Sequence, residues 1–181
     1  MSILKIAQLG NPVLRQETSS LSSKDIMTPY VQKLIDDMVE TMKEYEGVGL
    51  AAPQIHEPKQ ITVIESAGSV RYPNTMNIPL TVLINPVITW YSEEKADGWE
   101  GCLSIEEFRG LVPRSTSVRV SAMDRKGKSV SINATGFFAV VLQHEIDHLN
   151  GTVFIDRIKD LKTLSFFSEY ERYWVKDVKE K

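Results

Sequence analysis

Apolar residues recur at helical spacing in the segment that follows Thr28 and Pro29. The repeating positions are Val31, Leu34, Ile35, Met38, Val39 and Met42. Residues at this spacing form one apolar face on a helix. Thr28 suits the N-cap and Pro29 suits the first helical position. The pattern therefore predicts an amphipathic helix that begins at Pro29 and ends near Gly47.

Two further helical patterns lie nearer the C-terminus. The segment from Gly136 to Leu149 is apolar on nearly every side except around its H-E-x-x-H end. Because a helix that is apolar all round is buried, we expect this one in the centre of the protein, closed by Asn150 and Gly151. The pattern from Leu161 to about Val175 predicts a last helix. A charged tail, residues 174–181, is expected to fray in solvent.

Short β-branched segments separate the first helix from the central one. They are QITVIE at residues 60–65, TVLI at 81–84 and VRVSAM at 118–123, and each predicts a strand. DRKGK at 124–128 predicts a hairpin turn. The strands and helices do not alternate strictly, so the predicted fold class is α+β. With no linker long enough to divide the chain, residues 1–181 are expected to form one domain.

Composition narrows the classes of function. A chain of 181 residues with 42% hydrophobic composition can bury a stable core without disulfides or structural metal ions. Its net charge of -3 gives no electrostatic basis for non-specific DNA or RNA binding. No segment approaches the roughly 18 apolar residues of a membrane span, and the N-terminus lacks the apolar run of a signal peptide. The single cysteine, Cys102, is compatible with a reducing compartment. We therefore expect a cytoplasmic protein, and a removed organellar transit peptide would leave no trace here.

The H-E-x-x-H motif places two histidines and a carboxylate on one helix. His144 and His148 are four residues apart, so both rings project from one face and can share a cation. Glu145 lies beside them as a candidate base. A surface helix with solvated histidines is the plain alternative, but the surrounding helix is too apolar for a solvated face. Buried imidazoles need partners, and a divalent cation supplies one.

A catalytic site of this kind usually has a third protein ligand and an open position for water. The metzincin motif continues to a third histidine, but Phe154 occupies that position and cannot bind a metal. Glu169, downstream as in thermolysin-like proteases, remains an alternative. Cys102 is favoured, because it lies in the glycine-flanked segment GWEGCLS and would complete a Cys-His-His site. A lone cysteine can also be a small buried apolar residue.

Three separated motifs are similar to one known family. They are GVGLAAPQ at residues 47–54, EGCLS at 100–104 and QHEIDHLNG at 143–151. Together, and in this order, they resemble peptide deformylase, and the resemblance extends from GNPVLR at 10–15 to VFIDR at 153–157. It implies an α+β fold with mixed or antiparallel strands wrapped around the H-E-x-x-H helix, and N- and C-terminal helices. It also implies a metal-dependent hydrolase that removes the N-formyl group from the formylmethionine of newly synthesised proteins.

The resemblance implies the cofactor and the partners as well. The cofactor would be one divalent metal ion, Fe²⁺ in the cell, with Zn²⁺, Ni²⁺ or Co²⁺ as substitutes. The partners would be N-formylmethionyl nascent peptides, with the ribosome near its exit tunnel as a further candidate. We expect a monomer. A non-catalytic relative that binds formyl peptides is the remaining alternative reading.

The resemblance also implies roles for individual residues. Cys102, His144 and His148 would hold the metal, and Glu145 would move the proton. The side-chain amide of Gln54 and the backbone N-H of Leu103 would stabilise the oxyanion. The substrate-binding positions implied by the motifs or by helical spacing from His144 are Val48, Gly49, Gly101, Arg109, Phe137, Val140 and Val141.

Two positions depart from the family pattern, and one pair is expected from it. Glu106 stands where proline is usual, and His56 stands where glycine is usual. We expect both to affect loop shape more than chemistry. Glu106 is expected to alter how the peptide beyond methionine is held, and His56 to be either an exposed loop residue or a weak outer-shell group. Asp147 projects away from the metal face, and the resemblance pairs it with Arg114 in a structural ion pair.

Overall fold

The computed structural model describes residues 2–66 and 77–175. Its α-helices are α1 (Ser23–Ile26), α2 (Pro29–Glu44), α3 (Gly136–Leu149) and α4 (Phe167–Tyr173). Short 3-10 helices cover Pro12–Arg15, Ala52–Ile55, Phe154–Arg157 and Leu161–Thr163. Within these ranges, no helix combines the length and the apolar character needed to cross a bilayer.

The described strands form two antiparallel sheets. The strands are β1 (Gly49–Ala51), β2 (Ile61–Ser66), β3 (Ile78–Tyr91), β4 (Lys95–Cys102), β5 (Ile105–Ser115), β6 (Ser117–Met123), β7 (Ser129–Thr135) and β8 (Ser165–Phe166). The larger sheet has the order β1-β2-β3-β6-β7, and the smaller has the order β4-β5-β8. This arrangement of antiparallel sheets and helices confirms the predicted α+β class.

Helix α2 forms where its sequence predicts it. The side-chain oxygen of Thr28 accepts a hydrogen bond from the Val31 N-H, and Pro29 occupies the first turn. Its apolar face packs on β1 and β2 in a core that includes Ile35 and Met38. At the C-terminal end, Glu46 adopts a left-handed conformation with φ 52°. The helix thus ends at Glu44, three residues before the predicted position.

Helix α3 lies at the centre of the protein, as its composition predicts. One side packs on the larger sheet through a core that includes Leu142 and Ile146, and other residues of the helix contact β5. Asn150 is the C-cap, and Gly151 follows with φ 67°. A side chain at Gly151 would lie 2.8 Å from the carbonyl oxygen of Arg15. Glycine therefore allows the chain to turn here against the N-terminal segment.

The three predicted strands are present, but the second is longer than expected. Residues 81–84 are part of β3, which extends over Ile78–Tyr91 and pairs with β2 and then with β6. The predicted turn at 124–128 joins β6 to β7, and the side chain of Asp124 accepts hydrogen bonds from the N-H groups of Lys126 and Lys128. The hairpin prediction is confirmed.

The prediction of one helix from Leu161 to about Val175 is wrong. Residues Leu161–Thr163 form a 3-10 turn, β8 follows, and only Phe167–Tyr173 is helical. Phe166 of β8 pairs with Phe108 of β5, so a long-range strand pairing overrides the local helical pattern. In the predicted frayed tail, Trp174 packs on Trp99 with ring centroids 5.1 Å apart. Residues 176–181 lie outside the described residues.

Candidate active site

Three candidate metal ligands from two separate elements meet at one point. Cys102 is the last residue of β4, and His144 and His148 are one turn apart on α3. Sγ of Cys102 lies 3.2 Å from Nε2 of His148. One ligand atom from each of the three residues lies within 4.8 Å of the others. The fold therefore brings together the set of residues that the motifs identify.

The donors fit a single transition-metal ion. A thiolate with two imidazoles suits Zn²⁺, Fe²⁺ and related cations. Nδ1 of His144 lies 2.9 Å from Oε2 of Glu100, which leaves Nε2 as the ring nitrogen available to a metal. Metal-binding histidines commonly have a carboxylate behind them in this way, because it fixes the tautomer and the orientation of the ring. This Cys-His-His group has the donors to hold one metal ion.

The two imidazoles are biased toward opposite charge states by their surroundings. Burial lowers the pKa of His148 well below its ordinary value, and the positive charges of His144 and Arg114 lower it further. Burial also acts to lower the pKa of His144, but contacts with Cys102 and Glu100 outweigh it and raise that pKa well above its ordinary value. These shifts favour the neutral ring at His148 and the protonated ring at His144, and a metal ion binds a histidine only through a deprotonated ring nitrogen.

Glu145 presents a buried carboxylate beside the metal ligands. The residue is 4% exposed, and its Oε2 atom is buried without a hydrogen-bond partner among the described residues. Burial raises the pKa of this carboxyl to about 7, while His144 acts to lower it and Glu100 to raise it. A carboxyl group with a pKa near neutrality can both accept and return a proton.

Gln54 is held with its amide nitrogen toward the ligands. Its Oε1 atom accepts a hydrogen bond from the Ala51 N-H at 2.9 Å. Its Nε2 atom then donates to Sγ of Cys102 and to Oγ of Ser104, both at 3.3 Å. Leu103 lies between those two residues, at the turn that joins β4 to β5. Gln54 and Leu103, which belong to two separate segments of the chain, thus border the same site.

A pocket of about 110 Å³ opens over these residues. A single water needs roughly 10–15 Å³ of such volume, so the pocket has room for a ligand group. Its walls include Glu145, Gln54, Leu103, Cys102 and His144. The predicted substrate-binding residues also line it, namely Val48, Gly49, Gly101, Arg109, Phe137, Val140 and Val141. Their positions agree with the predicted role, which remains a prediction.

Two glycines of the motifs allow side chains to lie directly on the backbone. A Cβ atom at Gly49 would be 2.3 Å from Oε1 of Glu145, and one at Gly101 would be 2.4 Å from a guanidinium nitrogen of Arg109. Contacts this short do not occur between real Cβ atoms and their neighbours. Glycine is therefore required at Gly49 for Glu145 to occupy its present position.

The predicted ion pair between Asp147 and Arg114 is confirmed, and it is part of a larger network. Nη1 of Arg114 donates to Asp147 at 2.6 Å, and Arg157 binds the same carboxylate at 2.7 Å. Arg114 also donates to Glu100 at 2.8 Å. Burial acts to raise the pKa of Glu100, but its contacts with His144 and Arg114 outweigh it and lower that pKa to about 2.

The motifs alone do not predict a functional role for Glu100 or Arg157. Glu100 is two residues before Cys102, and residues at this spacing point to the same face of a strand. This alternation is the feature of the sequence that could have placed Glu100 beside the ligands. The link between Arg157 and Asp147 depends on the path of the chain after α3, for which the sequence carries no local signal.

The remaining candidates lie outside the ligand group. Glu169 is exposed on α4 and lines no part of the pocket, so the geometry gives the thermolysin-like alternative no support. His56 is exposed, and its backbone has a φ of 65°. Nδ1 of its ring lies 3.4 Å from Nδ2 of Asn11. A left-handed conformation explains why glycine suits this position. Glu106 is exposed at the wall of the pocket.

Comparisons with known proteins agree with this geometry. The Polypeptide deformylase family matches residues 3–164. The chain is 39% identical to peptide deformylase 2 of Nostoc sp. over 177 residues, which cover 98% of both chains. It is 43% identical to peptide deformylase 1 of Nitrosomonas europaea, over 91% of this chain and 92% of that one.

Solved structures show the same fold. A class I type b peptide deformylase from Acinetobacter baumannii, with Met-Ala-Ser bound, matches with a TM-score of 0.84 and 36% identity, over 87% of this chain and 99% of that one. Peptide deformylase from Thermotoga maritima matches with a TM-score of 0.78 and 34% identity, over 88% of this chain and 100% of that one. The chain therefore belongs to the polypeptide deformylase family.

Proposed function

We propose that this enzyme hydrolyses the N-formyl group of formylmethionyl peptides and releases formate. The observation that carries the proposal is the convergence of Cys102, His144 and His148 beside the buried carboxylate of Glu145, at a pocket that Cys102, His144 and Glu145 line. Formylmethionine is the N-terminal residue of newly synthesised chains, so nascent peptides in the cytoplasm are the proposed substrates. A monomeric state and a contact with the ribosome stay predictions.

Cys102, His144 and His148 are the proposed metal ligands, with ferrous iron as the proposed native ion. A bound divalent cation supplies Lewis-acid polarisation and the activation of water at neutral pH. Glu100 supports this arrangement, since it holds the His144 ring through Nδ1 and is itself held by Arg114. Zn²⁺, Ni²⁺ and Co²⁺ can occupy the same donors, so availability in the cell decides which ion is bound.

Glu145 is the proposed general base and general acid. Hydrolysis adds water to the formyl carbon, breaks the C-N bond, and leaves formate and a free amine. Glu145 would take the proton from the attacking water and deliver it to the departing nitrogen. Its burial beside the ligands and its raised pKa support this role, because proton transfer is most efficient when the pKa of the catalytic group is near the working pH.

The Gln54 amide and the Leu103 N-H are the proposed oxyanion donors. Addition of water to the formyl carbon places negative charge on the formyl oxygen, and fixed donors stabilise that charge. The Ala51 N-H orients the Gln54 side chain, so the amide nitrogen is positioned before substrate binds. The Gln54 amide donates to Cys102 and Ser104, so one of its two hydrogens would exchange one of these acceptors for the formyl oxygen.

An apolar wall next to the ligands is the proposed site for the methionine side chain. Phe137, Val140 and Val141 precede His144 by seven, four and three positions on α3, so they lie on the same side of the helix. All three line the pocket, together with Val48. Gly49 and Gly101 would let the peptide backbone lie close to the chain, and Arg109 borders the same pocket.

Formate release tests the proposed function directly. Protein purified without oxygen and loaded with Fe²⁺ or Ni²⁺ is incubated with formyl-Met-Ala-Ser, and with acetyl-Met-Ala-Ser as the matched control. We expect formate from the first peptide and no acetate from the second. Cleavage within either peptide would favour a metallopeptidase. A fully metallated protein that releases no formate would contradict the proposal and favour a relative that only binds formyl peptides.

A further inference from the structure

A second cavity lies across the Arg114 network from the catalytic pocket. Arg114 contacts Glu100, which lines the catalytic pocket, and Asp147, which lines the second cavity. No described residue lines both spaces. The second cavity has a volume of about 390 Å³, and a single water needs roughly 10–15 Å³, so a small organic molecule can enter it. We call it the rear cavity, and its walls are formed by residues 91–92, 95, 113–115, 143, 147 and 157.

The buried part of the rear cavity wall is polar. Ser115 and Gln143 are 3% and 5% exposed. The Gln143 side chain accepts a hydrogen bond from the Ser115 N-H at 3.1 Å and donates one to the Ser115 carbonyl oxygen at 2.9 Å. Arg114 is fixed as well, because its guanidinium donates to both Glu100 and Asp147. Empty packing voids are apolar, so a wall of this kind indicates a space that holds water or a polar ligand.

The exposed part of the wall carries three hydrogen-bond donors that remain available. Arg157 binds Asp147 through Nε and Nη2, which leaves its Nη1 atom without a partner among the described residues. The Lys95 ammonium and the Tyr91 hydroxyl also have no hydrogen-bond or ion-pair partner in the described part of the chain. A ligand can therefore bind these three groups without breaking a contact within the protein.

The charges along the rear cavity are positive on balance. Three cationic side chains line it, against the one carboxylate of Asp147. Arg114 also neutralises Glu100, so one positive charge is left over, and Lys95 carries it. Glu94, the acidic residue next to Lys95 in the chain, lines no part of the cavity. The surplus of one charge suits a ligand with a single negative charge.

We propose that the rear cavity is a binding site for a small carboxylate anion. The two oxygens of a carboxylate can accept hydrogen bonds from Lys95, Arg157 and Tyr91, and charge-assisted hydrogen bonds of this kind are the stronger ones. Pro113 and the Tyr91 ring provide apolar surface for the body of the molecule. The site is separate from the metal ligands and does not depend on the proposed deformylation.

Titration with benzoate tests the proposal. The enzyme is loaded with Zn²⁺ and labelled with nitrogen-15, and benzamide is the matched ligand because it has the same shape without the charge. At the efficiency usual for small ligands, we expect a Kd on the order of 10 mM for benzoate and binding at least about 5-fold weaker for benzamide. The backbone signals of residues 91–95, 113–115 and 157 should shift, and those of residues 47–54 at the catalytic pocket should not.

Two double variants locate the binding. Tyr91→Phe with Lys95→Gln removes two of the available donors and should weaken benzoate binding about 5-fold. Lys5→Gln with Tyr173→Phe makes the same two changes at exposed residues that line neither space, and should retain the wild-type Kd.

Four results would overturn the inference. They are the absence of benzoate binding, equal binding of benzamide, signals that shift at residues 47–54 instead of around the rear cavity, and a Tyr91→Phe, Lys95→Gln variant that binds no more weakly than the control variant. The third result would place benzoate at the metal ligands, and the fourth would show that general surface charge accounts for the affinity.

Discussion

The close approach of Gly49 to Glu145 makes Gly49→Ala a sharp perturbation of the proposed base. The added Cβ atom would lie 2.3 Å from Oε1 and 2.6 Å from Cδ of Glu145. Ordinary contact begins near 3.4 Å, so the carboxylate must move by about 1 Å. Because Glu145 is only 4% exposed, it can relieve the clash only by leaving its present position in the site.

A displacement of this size has a calculable consequence. Misplacing a catalytic group by about 1 Å can cost on the order of 100-fold in rate, so kcat should fall by about that factor. The three heavy atoms nearest to the new methyl group all belong to Glu145, so we expect one metal ion per chain to remain bound. Overpacking should lower the free energy of unfolding by about 1–3 kcal/mol.

The assay is formate release from formyl-Met-Ala-Ser at full metal occupancy, with metal content measured on the same sample. Gly98→Ala is the matched control, because Gly98 is also a strand glycine and a Cβ atom there would meet nothing within 4 Å. The control should retain its activity. A Gly49→Ala enzyme with kcat within about 3-fold of wild type would refute the argument that the position of Glu145 limits turnover.

Three further substitutions test the surrounding structure. Glu100→Gln removes the carboxylate behind His144 and should weaken metal affinity about 10- to 100-fold; chelator competition measures this, and an unchanged affinity would contradict the role of Glu100. Arg114→Leu leaves the carboxylates of Glu100 and Asp147 without their buried cation and should cost about 3–5 kcal/mol in urea unfolding; a loss below about 1 kcal/mol would show that the network contributes little. Glu46→Gly relieves a left-handed non-glycine conformation and should raise the free energy of unfolding by about 0.5–1 kcal/mol; a destabilised variant would show that the Glu46 side chain has a stabilising partner.

Elements with strong local signals were predictable from the sequence. Helix α2 carries its N-cap, its first-turn proline and its apolar period within one segment, so its start follows from local rules. Helix α3 and its closure by Asn150 and Gly151 follow in the same way from local composition. The Cys-His-His group could be identified because its members lie in two short motifs, and the family resemblance joined them.

Features that depend on long-range contacts were not predictable in this way. The pairing of Phe166 with Phe108 replaces a helical turn by β8, because the edge of β5 supplies a hydrogen-bonding partner that no local pattern reveals. The position of Glu100 between His144 and Arg114 depends on how the β4–β5 hairpin packs on α3. Glu46 lines the pocket together with Glu106 and Arg109 of β5, which are distant from it in the sequence.

The measurement that tests the central claim most directly is formate release by Glu145→Gln loaded with one equivalent of Fe²⁺ or Ni²⁺ and compared with wild type. Glutamine retains the size of the side chain but cannot transfer the proton. The proposed mechanism predicts one bound metal per chain and a fall in kcat of at least about 100-fold, the lower limit of a general acid-base contribution. A metallated Glu145→Gln enzyme that releases formate at nearly the wild-type rate would contradict the assignment of proton transfer to Glu145.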